Sequence, residues 1–407
     1  MGASTFAGGR DWLNDADLDC TEFNDNYDEV IETLVTQCPI ARSNVGHGYW
    51  VVSKFDDVRE CAQDWETFSN AGGFQPNAAK DAPKLYPQEL DPPYQTRWRT
   101  ALAPYFSPRA VKDRTSEVEE HINILIDGFI ERGSCDFIDE FAAPLPGRVF
   151  FSNYMGVPLE DLTYLRTAID AAMRGPVELR GAGWQKTNDY LDAYLRGRES
   201  QPRRGDFVDV ILAGVALDNG EPCPWNDKVS TINDLLAGGI VTTAYLLGSI
   251  VHYLATHPEE RARLASDDSI HDRAVEEMSR AFSSVVALGR TATKDTTVGG
   301  QEIKQGEMVM LNFASACRDP GTITDPNEVD LDRQLLANAA FGFGPHRCIG
   351  SHIARQNAAL MIKILLQRIP NFELAPGIRP TYTTGITRSM DTLLLVFPAG
   401  QSRVKST

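Results

Sequence analysis

A chain of 407 residues, 42% hydrophobic and 23% charged, is long enough to enclose a large core and has the composition of an ordinary globular protein. The formal net charge of −17 disfavours nucleic acid or an anionic membrane as partner, although a local basic patch on an acidic body stays open. Seven cysteines, an odd number without a CxxC pair, read as reduced thiols and not as a disulfide framework; with no apolar signal core in MGASTFAGGRDWLND, the expected location is the cytoplasm.

No internal repeat and no Gly/Ser- or Pro-rich linker divides the chain, so a single domain over residues 1–407 is expected, with 1–48 as its lead-in. The first stretch with strand character is Tyr49–Lys54 (YWVVSK), and a helical pattern follows from Asp56 to about Trp65. Residues 71–93, rich in Pro, Gly and Ala and without apolar periodicity, read as a long surface loop of the kind that carries function. From Pro108 to Arg203 the pattern is mostly helical, broken at Gly133, Pro144–Gly147, Gly156–Pro158 and Gly175–Pro176.

The spacing then predicts one long helix over Asp227–Thr256, stopped by Pro258. At ~1.5 Å per residue it would run on the order of 45 Å and cross the molecule. Its segment Leu235–Val251 is uncharged over 17 residues, which raises the question of a membrane span. The interspersed Gly238, Gly239, Thr242, Thr243, Gly248 and Ser249 favour a buried core helix instead. A shorter helix is predicted at Ser269–Ser283, strands with Gly turns at 296–313, and a last helix from about Cys348 to Arg368. The fold class is therefore mainly α, helix-rich, with small β-sheets at its edges.

The most informative stretch is FGFGPHRCIG, residues 341–350. Gly342, Gly344 and Gly350 lack a Cβ and let the backbone approach a flat partner. Cys348, placed at a helix start, has free N–H groups and the macrodipole to stabilise a thiolate. A lone cysteine in a tight loop is more often structural. The whole segment, however, resembles the cysteine-ligand loop of the cytochrome P450 family: Phe, two residues, Gly, one residue, His or Arg, one residue, Cys, one residue, Gly. Phe341, Gly344, His346, Cys348 and Gly350 supply the match. The resemblance implies the P450 fold and one haem b, its iron held by the thiolate of Cys348, with Phe341, Gly342 and Gly350 bordering the cofactor. Such a thiolate ligand favours O–O cleavage.

Further residues fit in chain order. Glu277 and Arg280 form an ExxR pair on one helix face, a common surface pattern when alone. In the family it pairs with an arginine of the later meander, here Arg333, as a structural network. DPPYQTRWR, ending at Arg99, resembles the family's Asp-Pro-Pro, one residue, His, three residues, Arg, with Gln95 in place of His. By the resemblance Gln95 would also contact the cofactor, and Arg99, Arg290 and His346 match haem-propionate positions, a role that suits arginine's pairing with carboxylates.

In the long helix, LLAGGIVTT (235–243) resembles the oxygen-activation pattern Ala/Gly-Gly, one residue, Asp/Glu, Thr, Thr. Gly238, Gly239, Thr242 and Thr243 match, whereas Val241 stands at the acid position. Each glycine costs about 1 kcal/mol against alanine in a helix, so the pair marks either close helix packing or a distortion that admits a ligand, with Gly238 against the haem. Thr242, with Thr243 beside it, is the expected catalytic group for proton supply to dioxygen. Asp234, two turns earlier, is a candidate substitute for the missing acid, acting through water.

By the same resemblance the substrate lies against the 71–90 loop with Phe74 and Tyr86, the helix wall with Leu236 and Val241, then Val285, Val286 and Leu288, and finally Ile386 with Thr387. This implies a small hydrophobic substrate, a terpenoid or a small aromatic, hydroxylated or O-demethylated with O2. Electrons would come from NAD(P)H through a ferredoxin reductase and a ferredoxin, as separate proteins, because the chain holds no dinucleotide fingerprint and no four-cysteine cluster. Arg99, Arg347 and Arg355 are expected to form a cationic docking patch, or else to be solvated surface charges. The resemblance is to soluble, camphor-hydroxylating bacterial members, which implies a monomer without a membrane anchor. The alternatives are a peroxide-driven haem-thiolate enzyme, suggested by Val241, and a non-catalytic haem-binding sensor.

Overall fold

The computed structural model describes residues 9–76, 78, 82–334 and 338–403. Residues 1–8 of the lead-in and positions 77 and 79–81 of the 71–93 loop lie outside the described residues.

The central helix runs Trp225–Thr256, 32 residues, starting two residues before the predicted bound. Pro258 does end it, but by opening a new helix, Pro258–Ser266, at the one position where a missing N–H costs nothing. The most apolar window of the central helix is 72% buried within the protein, so its length and hydrophobicity serve the core. Helices Leu162–Arg174, Val177–Glu199, His271–Ala281 and Ser351–Arg368 surround it. Leu165, Leu191, Ile232, Leu247, Met278 and Met361 join in one buried cluster across these elements.

At one edge lies a five-stranded sheet. Ile40–Ser43 pairs antiparallel with Tyr49–Val52, which runs parallel to Met308–Asn312. Met308–Asn312 pairs antiparallel with Ala287–Ala292, and Phe68–Ser69 closes the far side. The predicted strands at 296–313 resolve into this Met308–Asn312 strand and a hairpin, Thr296–Val298 with Gln301–Ile303. Gly299 and Gly300 make the hairpin turn at φ of 53° and 83°, a left-handed pair that only glycine adopts without strain.

Two expectations are corrected. Tyr49 does not open the first strand: the lead-in already holds the strand Ile40–Ser43, after helices Thr21–Asp25 and Tyr27–Thr36. Trp12, Phe23, Ile31 and Leu34 are buried there against Tyr49, Val51 and Met310. Ile40–Ser43 (IARS) is too short and mixed to signal a strand alone; its partner strand imposes the conformation. The last helix also starts at Ser351 and not at Cys348, which sits in the preceding loop.

Candidate active site

The loop 341–350 is folded by its glycines. Gly342 and Gly344 have φ of 68° and 65°, in the left-handed region. A Cβ on Gly344 would lie 2.5 Å from the Ala62 carbonyl oxygen, so this glycine also permits close approach to helix Phe55–Gln63. Phe343 packs edge-on to Phe55 of that helix at 5.4 Å. The Cys348 N–H donates to the Phe341 carbonyl at 2.8 Å and closes the loop. Behind it, the Arg355 guanidinium lies 4.0 Å over the Phe341 ring and donates to Glu276 at 2.6 Å.

Cys348 opens onto a cavity of about 260 Å³ deep in the molecule. It is the exposed cysteine among the seven, and that exposure is to the cavity. Burial raises its thiol above the ordinary value, while the Gly350 N–H and the guanidinium groups of Arg99, Arg355 and Arg347 oppose the rise.

Next to Glu276, the helix His271–Ala281 carries a buried ionic network. Arg280 donates to both carboxylate oxygens of Glu277, at 2.8 and 2.7 Å, and both side chains are 0% exposed. Arg333 adds a third contact to Glu277 at 3.1 Å. The remaining Arg280 donors reach the carbonyls of Cys317, Pro326 and Glu328, so the group is satisfied on every side. The three residues expected to form a network are thus together.

The central helix gives the cavity one wall. Asp234, Leu235, Gly238, Gly239, Thr242, Thr243 and Leu246 face it, spaced at three and four residues. A Cβ built on Gly238 or Gly239 would meet nothing within 4 Å, so these glycines border open space and do not admit another helix. Thr242 donates through Oγ1 to the Gly238 carbonyl at 2.8 Å, and Ser284 donates to the Thr242 carbonyl at 2.8 Å.

Of the expected substrate wall, Phe74, Val285, Leu288, Ile386 and Thr387 line the cavity. The Val286 N–H donates to the Ile386 carbonyl at 2.9 Å and holds that turn in place. Leu236, Val241, Val286 and Tyr86 do not line it, which corrects four assignments. Helical period turns Leu236 and Val241 into the core, at 0% and 5% exposure, and Val286 points into the cluster under the lead-in. Tyr86 is half-buried, and its neighbours Leu85, Pro87 and Gln88 take the wall instead. The 71–90 loop thus reaches the wall as expected, but these three residues were not singled out within it and Met173 was not expected at all, because an irregular loop and a distant helix leave no periodic signal for a shared wall.

Opposite charges are short here. Arg290 is 2% exposed, and its hydrogen bond among the described residues is to the Gly289 carbonyl, at 2.8 Å. Burial lowers it to about 10. His346 Nε2 is buried without a hydrogen-bond partner among the described residues, and burial with the nearby Arg290 and Arg99 holds the ring well below its ordinary value. Arg99 also lines the cavity, donating to the Arg347 carbonyl at 2.6 Å. Gln95 is a correction: 1% exposed and off the cavity wall, it donates to the Pro345 carbonyl at 2.6 Å and braces the cysteine loop. The docking arginines separate too: Arg347 is exposed, Arg99 faces the cavity, and Arg355 is half-buried on Glu276.

Two guanidinium groups and an orphaned imidazole nitrogen therefore face a cavity with a thiol on one wall and bare glycines on another. The geometry suits a flat group carrying carboxylates and a thiolate-binding metal. The profile of the family described as Cytochrome P450 matches residues 178–384. The chain is 31% identical to the probable cytochrome P450 127A1 of Sinorhizobium fredii, over 86% of this chain and 84% of that one. It belongs to the cytochrome P450 family. This P450 is also 30% identical to the steroid C26-monooxygenase of Mycolicibacterium smegmatis, over 81% of this chain and 82% of that one. The solved structure of cytochrome P450 CYP101C1 superimposes with a TM-score of 0.83 at 28% identity, covering 94% of this chain and 96% of that one.

Like its relatives, this P450 is a monooxygenase that uses haem b. The residues present fit that group. Cys348 would hold the iron, Arg99, Arg290 and His346 the propionates, and Gly238, Phe341, Gly342 and Gly350 lie on the cavity wall where a macrocycle needs close approach. Bound haem supplies the activation of dioxygen.

Proposed function

We propose that this P450 inserts one oxygen atom of O2 into a small, largely apolar substrate, a terpenoid or a small aromatic, by hydroxylation or O-demethylation. The observation that carries this reading is the wall around the glycine pair, where Phe74, Leu85, Leu235, Val285, Leu288 and Ile386 enclose one cavity with Cys348. Apolar ligand surface buried there gains about 25 cal/mol per Å². The relative named as a steroid monooxygenase supports an apolar substrate class. Electrons come from NAD(P)H by way of a ferredoxin reductase and a ferredoxin, and the protein works as a cytoplasmic monomer.

Thr242 positions the proton supply. Its hydroxyl proton is committed to the Gly238 carbonyl, so its lone pairs accept from a water in the cavity and orient it. Thr243 lines the wall beside it. The test is turnover of a panel of terpenoids and methoxy-substituted aromatics with ferredoxin, reductase and NADPH under isotopically labelled O2. One labelled oxygen atom per product supports the reading, and its absence from every product sinks it.

Val241 favours a second reading. The residue at the family's acid position is turned into the core, and the carboxyl on the cavity wall is Asp234, about 12 Å back along the helix from Thr242. Hydrogen peroxide would bypass that proton delivery. Initial rates with peroxide alone above those with the full electron chain would replace the first reading by this one.

A further inference from the structure

Asp234 is a carboxyl group on a cavity wall shared with the apolar Leu85 and Leu235, with the Arg99 guanidinium near enough to favour its charged form. Its hydrogen bond among the described residues is one backbone N–H, from Gln88, at 3.3 Å. The same Gln88 also lines the cavity, and its side-chain Nε2 is buried without a hydrogen-bond partner among the described residues. A buried donor on Gln88 and a half-used acceptor on Asp234 are thus linked through the Gln88 backbone, and leaving both incomplete is costly unless a further group completes them. The haem seat does not need them. Arg99, Arg290 and His346 already supply the donors for its propionates, and a carboxylate pointed at a propionate would be repelled. On the helix, Asp234 lies one turn before Gly238, about 6 Å along the axis, beside Leu235 on the substrate wall.

We propose that Asp234 and Gln88 form a polar anchor that selects substrates carrying one hydroxyl or carboxamide group on an apolar body. The group donates to a carboxyl oxygen of Asp234 and accepts from Nε2 of Gln88, and the apolar remainder packs on Phe74, Leu85 and Leu288. Anchoring one end fixes which carbon reaches the reacting centre, so the pair sets regiochemistry as well as affinity. Burial pushes the Asp234 carboxyl up to about 7, so near neutrality it is readily uncharged and does not demand a cation. This inference rests on the substrate class proposed above and narrows it.

The test is a ligand titration of the ferric holoenzyme, read by the spin-state shift of its Soret band. The probes are bornane against borneol, and toluene against benzyl alcohol and benzamide. Wild type binds each polar member about tenfold more tightly than its hydrocarbon parent. Asp234→Leu reverses that order, Asp234→Asn keeps part of it, and Gln88→Leu reduces it about threefold. Equal ratios in wild type and Asp234→Leu overturn the proposal, and so does failure of every polar member to bind wild type. If Asp234→Leu purifies without haem, or its reduced carbon monoxide spectrum loses the thiolate band, the pair belongs to the haem seat and the proposal falls. Titrations that behave as expected in a wild-type enzyme that makes no oxygenated product refute the proposed reaction and leave the anchor standing.

Discussion

Thr242 donates its hydroxyl proton to the Gly238 carbonyl at 2.8 Å and keeps its lone pairs for water. Thr242→Ala removes that acceptor without opening the core. Product formed per NADPH should fall about tenfold while substrate affinity, read by spectral titration, changes less than twofold. Asp234 gives a stability prediction with a definite sign. Its folded-state value, about 7, lies above the unfolded 3.8, so the native state holds a proton that the unfolded chain releases. Stability relative to Asp234→Asn is therefore greatest below pH ~4, declines as pH rises towards ~7, and is flat above; the span is at most on the order of 4 kcal/mol. Urea melts of the two proteins across that range measure it. The thiolate loop was legible because Phe341, Gly344, His346, Cys348 and Gly350 act within ten consecutive positions. The Gln88–Asp234 contact was not, because its partners are 146 residues apart and neither carries a local pattern.

Among elements, the central helix shows how a period sorts a wall. Four-residue steps carry Asp234, Gly238, Thr242 and Leu246 along one face, whereas Leu236 and Val241 turn inward. Leu236 and Val241 were expected on the wall from their place beside the glycine pair, without sorting the helix into faces, which is why the substrate wall was only partly right. The glycine pair can now be tested directly. Because a Cβ at Gly238 meets nothing within 4 Å, Gly238→Ala should raise the stability of the haem-free protein by about 1 kcal/mol and weaken haem retention. Glycines kept for helix packing would give a loss of stability instead. The ExxR pair behaves oppositely. Glu277→Ala leaves Arg280 buried at 0% exposure without its carboxylate, at a cost of about 3–5 kcal/mol, seen as a lowered melting temperature and poor soluble yield.

At the scale of the molecule, a body with net charge −17 presents Arg347 as an exposed cation beside the cysteine loop. Arg347→Glu should slow ferredoxin-driven reduction about tenfold at low ionic strength, with the difference shrinking as salt is added. A rate independent of both would remove this surface from electron delivery. The helical class, the central helix and the late strands were readable because each rests on its own period and breakers. The lead-in was not, since Ile40–Ser43 takes its conformation from Tyr49–Val52, and its helices bury against strands that come much later in the chain.

The Glu277–Arg280–Arg333 network is satisfied within itself and the 341–350 loop closes on itself, while Leu85, Gln88, Met173 and Ile386 reach the cavity from other segments. Inheritance can therefore act on the two parts at different speeds. A lineage can exchange the residues that choose its nutrient or product while the oxidising machinery is passed on unchanged. A combinatorial library confined to those four positions should keep haem content near wild type in most members and spread widely in which compounds it oxidises.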